Sequence, residues 1–224
     1  MVDLQNKPQE FVDLYALANP IPGARAKVPL LEVTDEEGSG DEKVLLAESL
    51  VIAEYIAEKY GSNILLPSSA KDRATMRLFT ELCGSSFSHY IPILRAQNAE
   101  QAEAAIQALK DSLVNVDIFL KHYYSSSGPF LAGKQFSLAE CNAAPFVFRV
   151  CTILPAFTGK EGATGNTVVD PMQICDELDL KHLKRWMQAV LERPSVVETS
   201  GSKEEMIAST SRLLERFAAM AATK

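Results

Sequence analysis

The sequence predicts an α/β unit followed by a larger all-α unit. Up to Gly61, short apolar runs ("VPLLEV", "VLLA") alternate with turn-rich loops and helical patterns. From Lys71 onward strand alternation is missing and apolar residues recur at helical spacing. Between the two, "GSNILLPSSAK" has the Ser and Pro content of a linker. The expected division is residues 1–62, 63–70 as linker, and 71–224.

Taken in order, "MVDLQ" reads as the tail of a strand and "KPQEFVDLYAL" as a short helix, with Pro8 at a tolerated first-turn position. "ANPIPGARAK" is a loop dense in turn formers. "VPLLEV" has the pattern of a buried strand, "TDEEGSGDEK" is an acidic turn, and "VLLA" is a second strand, so the pair forms a hairpin. A helix from Glu48 to Tyr60 follows, and Gly61 ends it. One long helix is expected from Lys71 to Ala96 and another over "AEQAEAAIQALKDSLVNVDIFLKHYY". In "FSLAE", Ser137 and Glu140 stand at capping-box spacing and mark the next helix start. "TGKEGATGNTVVDP" is a polar excursion expected to carry no core. Two more helices close the chain, and Leu183, Trp186, Met187 and Val190 share one face of the first.

The 224 residues are 47% hydrophobic, enough for a sizeable core, and 22 Lys and Arg stand against 29 Asp and Glu. A net charge of -7 argues against nucleic acid or anionic membranes as partners. The apolar stretch "NAAPFVFRVCTILPAF" is interrupted by Pro145, Arg149 and Pro155, so no membrane span is expected, and the first residues lack the pattern of a signal peptide. The four cysteines, Cys83, Cys141, Cys151 and Cys175, have neither zinc-site nor disulfide spacing. They read as reduced, mostly buried thiols of the cytoplasm or another reducing compartment.

The motifs "NKPQEF", "KVPLLE", "AESLVIAEYIAEKYG", "LLP", "FSLAE…APF" and "LKRWMQAVLERPSV" stand in one order along nearly the whole chain. In that order they resemble the glutathione transferase superfamily, and "LQNKPQEF" with the tryptophan helix is most similar to its omega class. The resemblance implies a thioredoxin-like domain joined to a helical bundle, glutathione as cosubstrate, and an electrophilic or disulfide acceptor. It also implies a homodimer, or a partner that completes the N-terminal sheet.

The half-site it implies comprises Lys7, Val28, Pro29, Glu48 and Ser49. A cis Val28-Pro29 bond would offer the Val28 backbone to the cysteinyl unit of the tripeptide by strand addition, whereas a trans proline simply starts a strand. Glu48 and Ser49 sit where a strand hands over to a helix, whose free N–H groups attract a carboxylate. The Ser49 hydroxyl can bind that carboxylate and Glu48 an ammonium; alternatively Ser49 caps its own helix. Lys7 matches a lysine that reaches the ligand's other carboxylate, or is a solvated surface lysine.

In this family sulfur is activated by a Cys, Ser or Tyr just after the first strand. Here only Met1 precedes "VDLQNKP", and a strand–helix–strand unit takes roughly 30 residues. The expectation is therefore a thioredoxin-like domain incomplete at its N-terminus, with no catalytic residue in this chain. A sequence that begins partway through its gene, a strand donated by a partner, and a remodelled N-terminus all remain open. So do three functions: thiol transfer or reduction by glutathione, an inactive module binding a protein or hydrophobic ligand, and an assembly domain of the translation type. Cys175, just ahead of a predicted helix, is opposed as a nucleophile by Asp176, Glu177 and Asp179.

Overall fold

Two turn-rich junctions and one strand-to-helix handover set the layout of the first unit, Met1–Asn63. The structure, a computed structural model, describes residues 2–3, 6–34, 43–61, 64–123, 127–160 and 162–222. The order here is α1 (Gln9–Ala18), β1 (Leu30–Thr34), β2 (Lys43–Ala47) and α2 (Ser49–Tyr60). Pro8 precedes α1, where its missing N–H costs nothing. Phe11, Leu14, Tyr15 and Ala18 recur at helical spacing, and α1 packs on β2 through that face.

β1 and β2 pair antiparallel with Leu30 opposite Ala47 and Thr34 opposite Lys43. Among the described residues they form the whole sheet. That corrects the expectation of a buried first strand. With a single neighbour, β1 is only half covered, and Val44 on β2 is 45% exposed. Val2 and Asp3 are not in a strand; Leu4, Gln5, the acidic turn over 35–42 and the boundary at 62–63 lie outside the described residues.

The second unit, Ile64–Lys224, is helical. Its elements are α3 (Ala70–Phe87), α4 (Tyr90–Arg95), α5 (Ala99–Tyr123), α6 (Leu138–Phe157), α7 (Pro171–Glu177), α8 (Lys181–Leu191), α9 (Pro194–Thr199) and α10 (Lys203–Ala222). The single helix expected over Lys71 to Ala96 is two. Ser88 Oγ donates to the Gly84 carbonyl at 2.6 Å, and the Ser88 and His89 amides reach back only three residues, to Ser85 and Ser86. Side chains taking helix carbonyls and i→i−3 bonds tightening the last turn end α3 there.

Leu109, Leu113, Val116 and Leu120 form the buried stripe of α5. Trp186 on α8 meets Phe79 edge-on, with ring centroids 5.1 Å apart, and lies 6.4 Å from Phe87. Leu183, Met187 and Val190 are fully buried beside it, as the spacing of the tryptophan helix requires. Leu180 provides no side-chain cap for α8, and Asp117 of α5 accepts from the Leu183 amide at 2.8 Å instead. The polar excursion after α6 does carry core at its far end. Val169 is buried, and its amide donates to the equally buried Thr158 hydroxyl at 2.8 Å. Gly128 must be glycine for lack of room: a Cβ there would lie 2.3 Å from the Gly133 carbonyl.

One buried carboxylate gathers these pieces. Glu140, 0% exposed, accepts from the Leu131 amide at 2.8 Å and from Trp186 Nε1 at 3.1 Å through Oε1. Through Oε2 it accepts from the Ser137 amide at 2.9 Å and the Ser137 hydroxyl at 2.6 Å. Ser137 and Glu140 close the capping box at the start of α6. Glu140→Ala leaves two amides and the indole N–H buried without partners, and should cost roughly 3–5 kcal/mol in urea denaturation. Emission from Trp186, the only tryptophan, should shift to the red in the same variant, and an unshifted spectrum at full stability would contradict this role.

Candidate functional site

The antiparallel register of β1 and β2 brings the two halves of the expected site to one end of the hairpin. Leu30 faces Ala47, so Val28 and Pro29, which precede β1, and Glu48 and Ser49, which follow β2, leave the sheet side by side. The Val28-Pro29 bond is cis. Val28 is 45% exposed, and among the described residues its N–H and C=O make no hydrogen bond.

Glu48 makes the turn from strand to helix alone, because β2 ends at Ala47 and α2 begins at Ser49. The chain reverses there at φ 71°, ψ 119°, a left-handed backbone uncommon outside glycine that costs on the order of 1–3 kcal/mol. The Glu48 carbonyl accepts from the Ile52 amide at 3.0 Å, while its side chain caps nothing. Ser49 is exposed as the first helical residue, and its hydroxyl has no partner among the described residues. It therefore does not cap its own helix. The first N–H groups of α2 point outward with a carboxylate and a free hydroxyl beside them.

Lys7 is neither free nor a surface lysine. Half-buried, it donates to the Ala26 carbonyl at 2.7 Å, which ties the segment before α1 to the loop that leads into Val28. Sequence reasoning missed Tyr15. Its hydroxyl, 33 residues away along the chain, donates to Glu48 Oε1 at 3.3 Å. The only advance signal was its place on the apolar face of α1.

The thiols lie in the second unit and are kept protonated. Burial pushes Cys83 well above the ordinary 9.0, helped by the charge of Glu140. Cys141 is raised by burial, then by Glu140, against a smaller opposing effect of Arg193. Cys151 is pushed up to about 12 by burial, with Asp170 adding to it. Cys175 is also pushed up to about 12, by burial first and then by Asp117 and Asp176. It lies inside α7 rather than ahead of it. Among the described residues no group of three or more acidic, His or Cys side chains is arranged to hold a metal ion. No described helix is long and apolar enough to cross a membrane.

The second unit has its own cavity of about 370 Å³ between α6, α9 and α10. Phe136, Pro145, Phe148 and Met206 supply apolar walls, and Arg149 and Ser195 supply polar ones.

Two outcomes follow from this geometry. Ser49→Ala should leave stability within about 0.5 kcal/mol of the parent in urea, since the hydroxyl closes no bond; a larger loss would restore the capping role. The raised thiols stabilise the fold fully below pH 9.0 and lose that contribution as pH rises toward about 12, because the unfolded chain releases those protons first. The fall in urea midpoint above pH 9 should be shallower in a Cys151→Ala, Cys175→Ala double variant.

A probable glutathione S-transferase, DHAR2, chloroplastic, from Oryza sativa subsp. japonica is 26% identical over 208 residues, 93% of this chain. The chain spans 60% of that relative's length. In solved structures, glutathione transferase Omega 1C from Trametes versicolor matches 96% of this chain and 84% of its own at 26% identity, with a TM-score of 0.65. Rice GST1, solved in complex with glutathione, shares the fold at 19% identity and a TM-score of 0.67, over 97% of this chain and 84% of its own. The family model for the glutathione S-transferase C-terminal domain matches residues 76–194, more than half of the sequence and every helix from α4 to α8. The chain belongs to the glutathione S-transferase, C-terminal domain family.

Proposed function

We propose that this glutathione transferase-like chain binds glutathione at the end of its hairpin and serves glutathione-dependent thiol transfer or reduction of the omega type. The reading is carried by the unpartnered Ser49 hydroxyl at the start of α2, beside the Glu48 carboxylate. The γ-glutamyl end of glutathione bears an ammonium and a carboxylate on one carbon. Helix N–H groups and Ser49 suit the carboxylate, and Glu48 suits the ammonium. The open N–H and C=O of Val28, just ahead of the cis bond to Pro29, suit the cysteinyl unit as an added strand. Lys7 supports this pose by fixing the Ala26 carbonyl; its remaining donors can meet the glycyl carboxylate.

In such a reaction a glutathione thiolate attacks the mixed disulfide of glutathione with a protein. The protein thiol leaves as thiolate and takes a proton, and glutathione disulfide forms. With dehydroascorbate, two glutathiones give up two electrons and two protons and become one disulfide. These residues bind and orient; none of the four cysteines is assigned to sulfur activation. The cavity of the helical unit suits an apolar acceptor, and a homodimer in a reducing compartment such as the cytoplasm goes with this reading.

Immobilised glutathione should retain the wild-type protein and release it on free glutathione. Glu48→Ala and Ser49→Ala should each weaken binding, Glu48→Ala by about 10- to 100-fold for a lost charge-assisted contact. Absence of wild-type retention would overturn the proposal in favour of a scaffold that binds some other partner.

A further inference from the structure

We propose that Tyr15 is a positioning residue of this site. Its buried hydroxyl holds the Glu48 carboxylate off the N-terminus of α2, so the ligand's ammonium and carboxylate meet separate partners. The inference rests on the glutathione reading above.

Tyr15 is the one buried residue of α1, at 2% exposure. Three contacts fix it. Its ring centroid lies 6.4 Å from that of Phe11, its carbonyl accepts from the Asn19 amide at 2.9 Å, and its helix packs on β2. The hydroxyl is thus a donor on a rigid support, 3.3 Å from Glu48 Oε1.

Glu48 needs such a donor because of where it stands. It is the N-cap of α2, the position from which a side-chain oxygen ordinarily turns back onto the amides of the first helical turn. Self-capping would occupy the N–H groups that a ligand carboxylate requires and bring the Glu48 charge onto the same spot. Neither happens: the side chain makes no cap bond and lies instead against Tyr15. One oxygen is engaged by a neutral donor, and Oε2 with the other lone pairs stays available to an ammonium. The result is an anionic contact and a helix N-terminus side by side and uncancelled, which is the pattern of a free α-amino acid end.

The test is calorimetric titration of the full chain with glutathione and with glutaryl-cysteinylglycine, which lacks only the α-ammonium. Wild type should prefer glutathione. In Tyr15→Phe that preference should shrink about tenfold, through weaker glutathione binding with the analogue's affinity unchanged or lower. 3-Fluorotyrosine at position 15, measured at pH 6, keeps the ring and strengthens the donor, so it should leave the preference intact or raise it. It also serves if Tyr15→Phe does not fold. An undiminished preference in Tyr15→Phe, or equal losses for both ligands, would overturn the positioning role while leaving the glutathione reading standing. Failure of wild type to bind glutathione would overturn that reading and this inference with it.

Discussion

A buried carboxylate held by neutral donors is the constraint around which the helical unit is assembled. Glu140 is fully buried, and its partners are two amides, a hydroxyl and an indole. Taking a carboxylate out of water is affordable only if its acceptor sites are filled, and four donors fill them. The four donors come from three different structural needs. The Ser137 amide and hydroxyl belong to the start of α6, the Leu131 amide to the loop that Gly128 allows to close, and the Trp186 indole to α8. The aromatic contacts of Trp186 with Phe79 and Phe87 then carry the constraint into α3. The dispersion and area terms of that cluster are large but tolerant of small shifts. The hydrogen bonds are not, and they set the register in which the apolar surfaces meet.

The same element, an acid at the start of a helix, appears in the first unit with the opposite outcome. Glu140 is three residues into the cap and folds back onto it, so the N-terminus of α6 is closed from within. Glu48 is the cap residue itself, turned by a positive φ and tethered to Tyr15, so the N-terminus of α2 remains open. Position relative to the first turn, and one phenol, distinguish a closed helix start from an open one, the feature on which the proposed ligand contact rests. Glu48 bears a conformational cost at its positive φ, and strain of this kind clusters at functional sites.

Which parts could be read from the sequence follows from how local their causes are. The capping box is a spacing of three residues, so Ser137 and Glu140 locate the start of α6 directly, and the stripe of Leu183, Trp186, Met187 and Val190 is visible for the same reason. The hairpin and the Glu48–Ser49 handover are also local patterns. The break after α3 is less so, because it depends on whether Ser88 turns its hydroxyl to Gly84 or to solvent. Long-range choices were silent. Nothing in "NKP" indicates that Lys7 reaches Ala26, and nothing in "DLYAL" distinguishes a phenol packed in apolar surroundings from one that crosses to a carboxylate. The half cover of β1 was hidden for the converse reason: an apolar run reports the wish for burial, not the number of neighbouring strands.

The placement of the thiols bears on the proposed binding of a thiol ligand. Exchange with a disulfide proceeds through thiolate, and its rate falls with the thiolate fraction. At a pKa of about 12 a thiol near neutral pH is ionised on the order of one part in 10⁵, so Cys151 and Cys175 are poor attackers of glutathione disulfide even before access is considered. Burial does most of this, and Asp117, Asp170 and Asp176 add to it. Asp117 illustrates how little is spare in the design. The carboxylate that caps α8 through the Leu183 amide also opposes ionisation of Cys175, so one side chain completes a helix and quiets a sulfur. A core built this way carries four cysteines, all in the helical unit, with their sulfurs held in the protonated, unreactive form.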